Sequence, residues 1–224
     1  MVKNLPEEKF PGVFIVNERI ATKSFAPGTR VYGEKLVKEG NSEYRMWDPF
    51  RSKLSGAIVK GLQEMPIKPG SKVLYLGAAS GTTASHVSDV VGKKGAVFCV
   101  EFARRTMRDL LNVCEVRPNM LPIMGDARQP AEYAKYINGK VDVIYEDVAD
   151  PDQAKIMVAN ARAFLKKGGD ALIAIKSQSI DVSKKPAEVY RHVLGELEAA
   201  FEVRQRIVLD PFDRDHLFVA LKFK

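Results

Sequence analysis

Apolar residues recur along this chain in two rhythms. Over the first fifty residues they alternate with polar ones in short stretches around 13–16, 30–37 and 43–47, interrupted by Pro27-Gly28 and Gly40-Asn41. A period of two marks half-buried strands, and Pro-Gly or Gly-Asn pairs mark turns, so a small N-terminal β domain is expected over residues 1–50. After Pro49 the rhythm changes. Compact apolar runs at 72–76, 96–101, 119–124, 141–146, 170–176, 203–209 and 216–222 read as strands. Helical spacing appears at 52–64, ahead of the first run, and at 83–91, 103–115, 131–137, 151–166 and 186–200, between the first six.

Strands that alternate with helices build right-handed βαβ units on a largely parallel sheet. The last two runs are separated only by the LDPFDRD segment, too short for a crossover, so they form an antiparallel hairpin. The expected fold class is α/β, with a Rossmann-like domain over 51–224 behind the β unit.

Sheets of this kind bind ligands beyond the carboxyl ends of their strands, where the strand order reverses. The first such end is LGAASGTT, residues 76–83. Gly77 and Gly81 allow a tight turn and a close approach to a ligand, with Ala79 between them, and Thr82 and Thr83 open a helix whose first N–H groups are free. The spacing is not GxGxxG, which argues against a dinucleotide. The second strand ends in Glu101-Phe102, where a carboxylate can accept hydrogen bonds from both ribose hydroxyls of a nucleoside. The third ends in Gly125-Asp126-Ala127, suited to an adenine amino group, and the fourth in Glu146-Asp147-Val148-Ala149-Asp150. A glycine loop followed by three acidic strand ends describes a nucleoside pocket better than it describes packing, although any one of these acids alone would read as a helix cap or a solvated loop residue.

Composition narrows the class. The chain has 224 residues, 46% hydrophobic and 28% charged, which fits a folded globular protein rather than a disordered one. No apolar run reaches the ~18 residues of a membrane span, and MVKNLPEEKF lacks a signal-type apolar stretch, so an intracellular location is expected. Cys99 and Cys114 lack metal-ligand spacing, and His86 and His192 sit in helical patterns without ligand-type partners; both read as structural, and no metal site is expected. The net charge of +7 permits contact with a polyanion without requiring it. Basic residues cluster at Arg51, Lys53 and Lys60, at Arg104, Arg105 and Arg108, and at Lys184, Lys185 and Arg191.

The runs VLYLGAASGTTASHVSDVVG, VEFARRTMRDLLN, GDARQP, DVIYEDVADPDQA, KSQSID and DPFDRDH resemble the fibrillarin family, in its archaeal form, across nearly the whole chain after residue 10. The resemblance implies the seven-stranded S-adenosylmethionine-dependent methyltransferase fold and 2′-O-methylation of ribose in rRNA and tRNA. It also implies partners: a box C/D guide RNA, a Nop-domain scaffold protein and a kink-turn-binding, ribosomal-protein-like subunit. The Gly/Arg-rich tail of eukaryotic members is missing, which points to an archaeal cytoplasm. A stand-alone RNA or protein methyltransferase is the alternative.

Cofactor contacts carry over to Gly77, Ala79, Gly81, Thr82, Thr83, Glu101, Phe102, Asp126, Ala127, Asp147, Val148, Ala149 and Asp150. Attack of a 2′-hydroxyl on an activated methyl needs alignment and removal of one proton, a task that suits a lysine held against a carboxylate. Lys176 ends the apolar strand ALIAI and Asp147 ends the strand before it, so both reach one rim. This is similar to the Lys-Asp-Lys-Glu tetrad of FtsJ-like ribose methyltransferases, which brings in Lys53 and puts His216 in the place of the glutamate.

Overall fold

The structure, a computed structural model, describes residues 5–224. A five-stranded antiparallel sheet comes first: β1 (Glu7–Phe10), β2 (Val13–Val16), β3 (Arg19–Lys23), β4 (Leu36–Glu39) and β5 (Ser42–Met46), in the order β1-β2-β3-β5-β4. The strand expected at 30–37 is present only at its end. Glu34 is buried, and its carboxylate accepts from the N–H groups of Val31 and Tyr32 at 3.0 and 2.9 Å, which curls the chain there instead of extending it. The pattern had not marked β1 or β3, because β3 buries three consecutive residues and so shows no alternation.

The seven-stranded sheet contains β6 (Lys72–Leu76), β7 (Ala96–Glu101), β8 (Met120–Met124), β9 (Val141–Glu146), β10 (Leu165–Lys176), β11 (Phe201–Val208) and β12 (His216–Phe223), in the order β11-β12-β10-β9-β6-β7-β8. β12 runs antiparallel to both its neighbours, as the short connection required. Strand order reverses between β6 and β9, where the glycine loop and Asp147 meet.

The helices are α1 (Lys53–Val59), α2 (Thr82–Val91), α3 (Arg104–Glu115), α4 (Pro130–Tyr133), α5 (Gln153–Phe164), α6 (Ser177–Ile180) and α7 (Pro186–Leu197). The expected helix over 52–64 stops at Val59 because Gly61 takes a φ of +96°. That over 131–137 is one α-turn followed by a 3₁₀ turn, and that over 151–166 yields at Leu165 to a strand whose register breaks before Asp170. Helices α1, α2 and α3 pack on one face of the large sheet and α4, α5 and α7 on the other. The central run Leu172 to Ile175 is fully buried between these layers. Each large side chain buried this way contributes about 1.5–3 kcal/mol. Val13, Ile20 and Trp47 of the small sheet share a core with α1 and α2.

The sheets are also joined by charge. Arg45 of β5 pairs with Glu34 at 2.5 Å and with Asp89 of α2 at 2.7 Å, and Asp89 pairs with Arg117 at 2.6 Å, all with side chains at most 1% exposed. His86 is fully buried here, stacked on Trp47 with centroids 4.8 Å apart, so its structural reading stands. His192 is an exposed residue of α7.

Candidate active site

β6 ends in a loop whose backbone is held from three sides. Gly77 and Ala78 donate to Val100 O at 3.0 and 3.1 Å, and Asp147 N donates to Leu76 O at 3.0 Å, so three strand ends are pinned together. Gly77 has a φ of +77°, and a Cβ placed there would lie 3.0 Å from the Asp147 carbonyl oxygen; only glycine lets the two strand ends come this close. Ala79 also adopts a left-handed φ of +48°, with its N–H fixed by the Glu101 carboxylate at 2.9 Å. Gly81 caps α2, so the first N–H groups of that helix, at Thr82 and Thr83, have no partner within the helix.

Each expected cofactor contact lies along this rim. Glu101 is buried, its two oxygens accepting from Ala79 and Ala103 N–H groups while keeping further lone pairs. The Phe102 ring beside it is 70% exposed, unusual for a phenylalanine and suited to an aromatic ligand. The Thr83 hydroxyl is not free: it donates to Ser52, the cap of α1. Asp126 is engaged by Arg128, whose side-chain hydrogen bond holds its carboxyl below the usual carboxylate range. Arg128 also lies 3.9 Å from Asp150. Ala127 and Val148 pack half-buried against the core, and Ala149 is exposed.

The lysines meet at Asp147. Lys176 Nζ is 2.9 Å from Asp147 Oδ1 and donates to the Asp147 carbonyl at 2.8 Å; Lys53 Nζ is 3.2 Å from the same Oδ1. Burial would depress the Lys53 ammonium, but the Asp147 and Asp213 carboxylates together outweigh it and hold Lys53 above the ordinary lysine range. His216 stands opposite Lys176 in the β10–β12 register but does not touch Asp147. Its Nδ1 is 3.0 Å from Asp213 Oδ1, and Asp213 Oδ2 is 3.3 Å from Lys53. Asp213 is thus the bridge that the sequence did not reveal. Gln153 was missed too: fully buried, it accepts from Lys176 N and donates to Val148 and Ala174 carbonyls, fixing both strand ends. Among the described residues no group of three or more His, Cys, Asp or Glu is placed to hold a metal.

The Fibrillarin family model matches residues 5–224. The chain belongs to the fibrillarin family. A Pyrococcus furiosus protein named fibrillarin-like rRNA/tRNA 2′-O-methyltransferase is 54% identical over 96% of this chain and 97% of its own. The crystal structure of Aeropyrum pernix fibrillarin with natively bound S-adenosylmethionine superposes with a TM-score of 0.88 at 47% identity, over 97% of this chain and 98% of that one. A fibrillarin in complex with Nop5p superposes with a TM-score of 0.90 at 39% identity, covering 97% of this chain and 100% of that one. Family membership bears out the expected fold and the enzyme class, an S-adenosylmethionine-dependent methyltransferase.

The residues fit that cofactor. The left-handed turn from Gly77 to Gly81 brings backbone N–H groups to the helix end, as an amino-acid carboxylate requires, and a buried acid with an exposed aromatic ring follows at Glu101-Phe102.

Proposed function

We propose that this chain transfers a methyl group to the 2′-hydroxyl of ribose in rRNA and tRNA, with the target chosen by a box C/D guide RNA. The observation that carries the reading is the meeting of Lys53 and Lys176 on one carboxylate, Asp147, directly behind the glycine loop. The Gly77–Thr83 turn, Glu101, Phe102, Asp126, Ala127 and the 147–150 segment hold the cofactor. Bound there, S-adenosylmethionine supplies a methyl carbon already activated by its sulfonium.

What falls to the protein is alignment and one proton. Asp147 Oδ1 is closed off from solvent between the two ammonium groups, and Oδ2 accepts from Lys53 at 3.4 Å. The Asp147–Lys176 pair orients the ribose hydroxyl and takes its proton as the oxygen attacks in line. Lys53, held above the ordinary lysine range by the two carboxylates, carries the charge that suits it to hold the target nucleotide. His216 acts through Asp213, fixing Lys53 rather than touching the reacting oxygen.

The Nop5p complex of a relative supports a Nop-domain scaffold as partner. A kink-turn-binding subunit completes the particle, in an archaeal cytoplasm. The test is reconstitution of the full chain with scaffold, kink-turn protein, guide RNA and radiolabelled cofactor. Label is expected on the ribose of the guided nucleotide alone. Label in RNA without a guide, or in protein, would overturn the reading in favour of a stand-alone enzyme.

A further inference from the structure

A cavity of about 820 Å³ opens between the small sheet, the turn that precedes α1 and the end of that helix at Ile58 and Val59, and Phe212, the neighbour of Asp213, stands in its wall. Its wall contains aromatic rings that are held in place. Phe50 is 66% exposed and meets Phe212 edge-on, with ring centroids 5.1 Å apart. The Asp48 carboxylate accepts from Phe50 N at 2.9 Å and Pro49 stiffens the turn, so the exposed ring stands on a fixed backbone. Next to it, the Arg51 guanidinium lies 5.9 Å from the centre of the Tyr32 ring, and the Tyr32 hydroxyl is 2.8 Å from buried His86.

Charge selects the occupant. Lys9, Arg19, Lys35 and Arg51 line the cavity and are exposed, against the exposed carboxylates of Glu18 and Asp48; the third acid, Glu34, is buried and neutralised by Arg45. A positive groove with an exposed aromatic ring beside half-buried ones is the combination that grips RNA, by phosphates and by ring contact. An apolar helix would leave the four cations unused, and a flat membrane surface would not reach into a groove between two elements.

We propose that this groove seats the target RNA strand beside the reactive ribose, with Phe50 against a base or sugar face and Arg19, Lys35 and Arg51 against phosphates. The inference rests on the functional reading above and assigns it a substrate-positioning surface outside the Lys53–Asp147–Lys176–His216 group.

The test uses the complete guide complex. Phe50→Ala is expected to raise the half-saturating target RNA concentration about fivefold or more, the lower end of what an aromatic contact with nucleic acid contributes, while the saturating rate and cofactor affinity stay unchanged. Phe50→Trp should restore binding. Arg51→Gln and Arg19→Gln should each lower the salt slope of RNA binding by about one. A 4-thiouridine next to the guided nucleotide should crosslink to the peptide containing Phe50. Three results would overturn the proposal: an unchanged half-saturation for Phe50→Ala, a crosslink confined to other peptides, or loss of scaffold-protein binding by Phe50→Ala, which would make the groove a protein seat. If the wild type methylates no guided target, the functional reading fails and takes this proposal with it. Wild-type turnover with an unaltered Phe50→Ala sinks the groove assignment alone.

Discussion

Glu34, Arg45, Asp89, Arg117 and His86 form one ionic cluster, between the small sheet and α2; Lys53, Asp147, Lys176, Asp213 and His216 form another, at the rim of the large sheet. Both use acids, bases and one histidine at ion-pair distances. In the first, the paired side chains are at most 1% exposed. Asp89 accepts from Arg45, Arg117, Thr22 and Phe25 N, which fills its oxygens. In the second, the side chains are 15–35% exposed. A cluster shut off from solvent, even one that leaves Arg117 Nε and Nη2 without partners, offers no access to a ligand and can only hold the fold together, whereas one open at a strand rim can bind and move a proton.

The largest effect that would sharpen this contrast is at the rim. Lys176→Ala is expected to lower guided methylation by about 10²–10⁴-fold, the range for loss of a positioned proton-transfer group, with melting temperature and cofactor affinity nearly unchanged. Unaltered single-turnover rates would erase the distinction between the clusters. Asp89→Ala should do the reverse. Removing one partner from a buried ionic group costs about 3–5 kcal/mol, so denaturant unfolding should shift strongly to lower midpoint. Asp213→Asn, which weakens the bridge between Lys53 and His216, should cost about tenfold in turnover, roughly 1.4 kcal/mol, and should mimic His216→Ala without adding to it. Additive losses would show that the two act independently.

The smallest effect is in pH. Burial first, then the nearby Arg45 and Arg117 charges, holds the His86 imidazole well below the usual histidine range. A neutral ring suits its contacts: the Thr22 hydroxyl, which donates to Asp89, lies 2.7 Å from Nδ1, and the Tyr32 hydroxyl lies 2.8 Å from Nε2. Because the folded value is depressed, the unfolded chain binds the extra proton first. Stability is therefore full above the unfolded value of about 6.5 and declines as pH falls below it toward the folded value. Thermal melts should show this decline starting near pH 6.5 in the wild type and not in His86→Gln.

Much of the rim was legible in the chain. Asp147 and Lys176 each end an apolar run, and successive strands of a βαβ series have parallel ends, so their meeting followed from order alone. The acids at Glu101 and Asp126 were placed by the same logic. Asp213 was not, because it sits among Asp210 and Asp215 in a turn where spacing distinguishes none of them. Its role arises from the antiparallel register of β10 and β12, which sets His216 across from Lys176, and from α1 lying against that turn. Gln153 lies inside the helix expected over 151–166, and nothing local said that its amide would be buried between two strand ends. For Arg45 and Asp89 likewise, no local pattern distinguishes a buried ion pair from two solvated charges.

By itself, then, the sequence determined the strand and helix series, the reversal at the glycine loop, the family and the two residues Asp147 and Lys176, because period and strand order are properties of near neighbours. Tertiary structure decided which charges close on one another inside the fold and which stay open at the rim. That choice depends on contacts between residues as far apart as Lys53 and Asp213, or Arg45 and Asp89, whose burial no local pattern records.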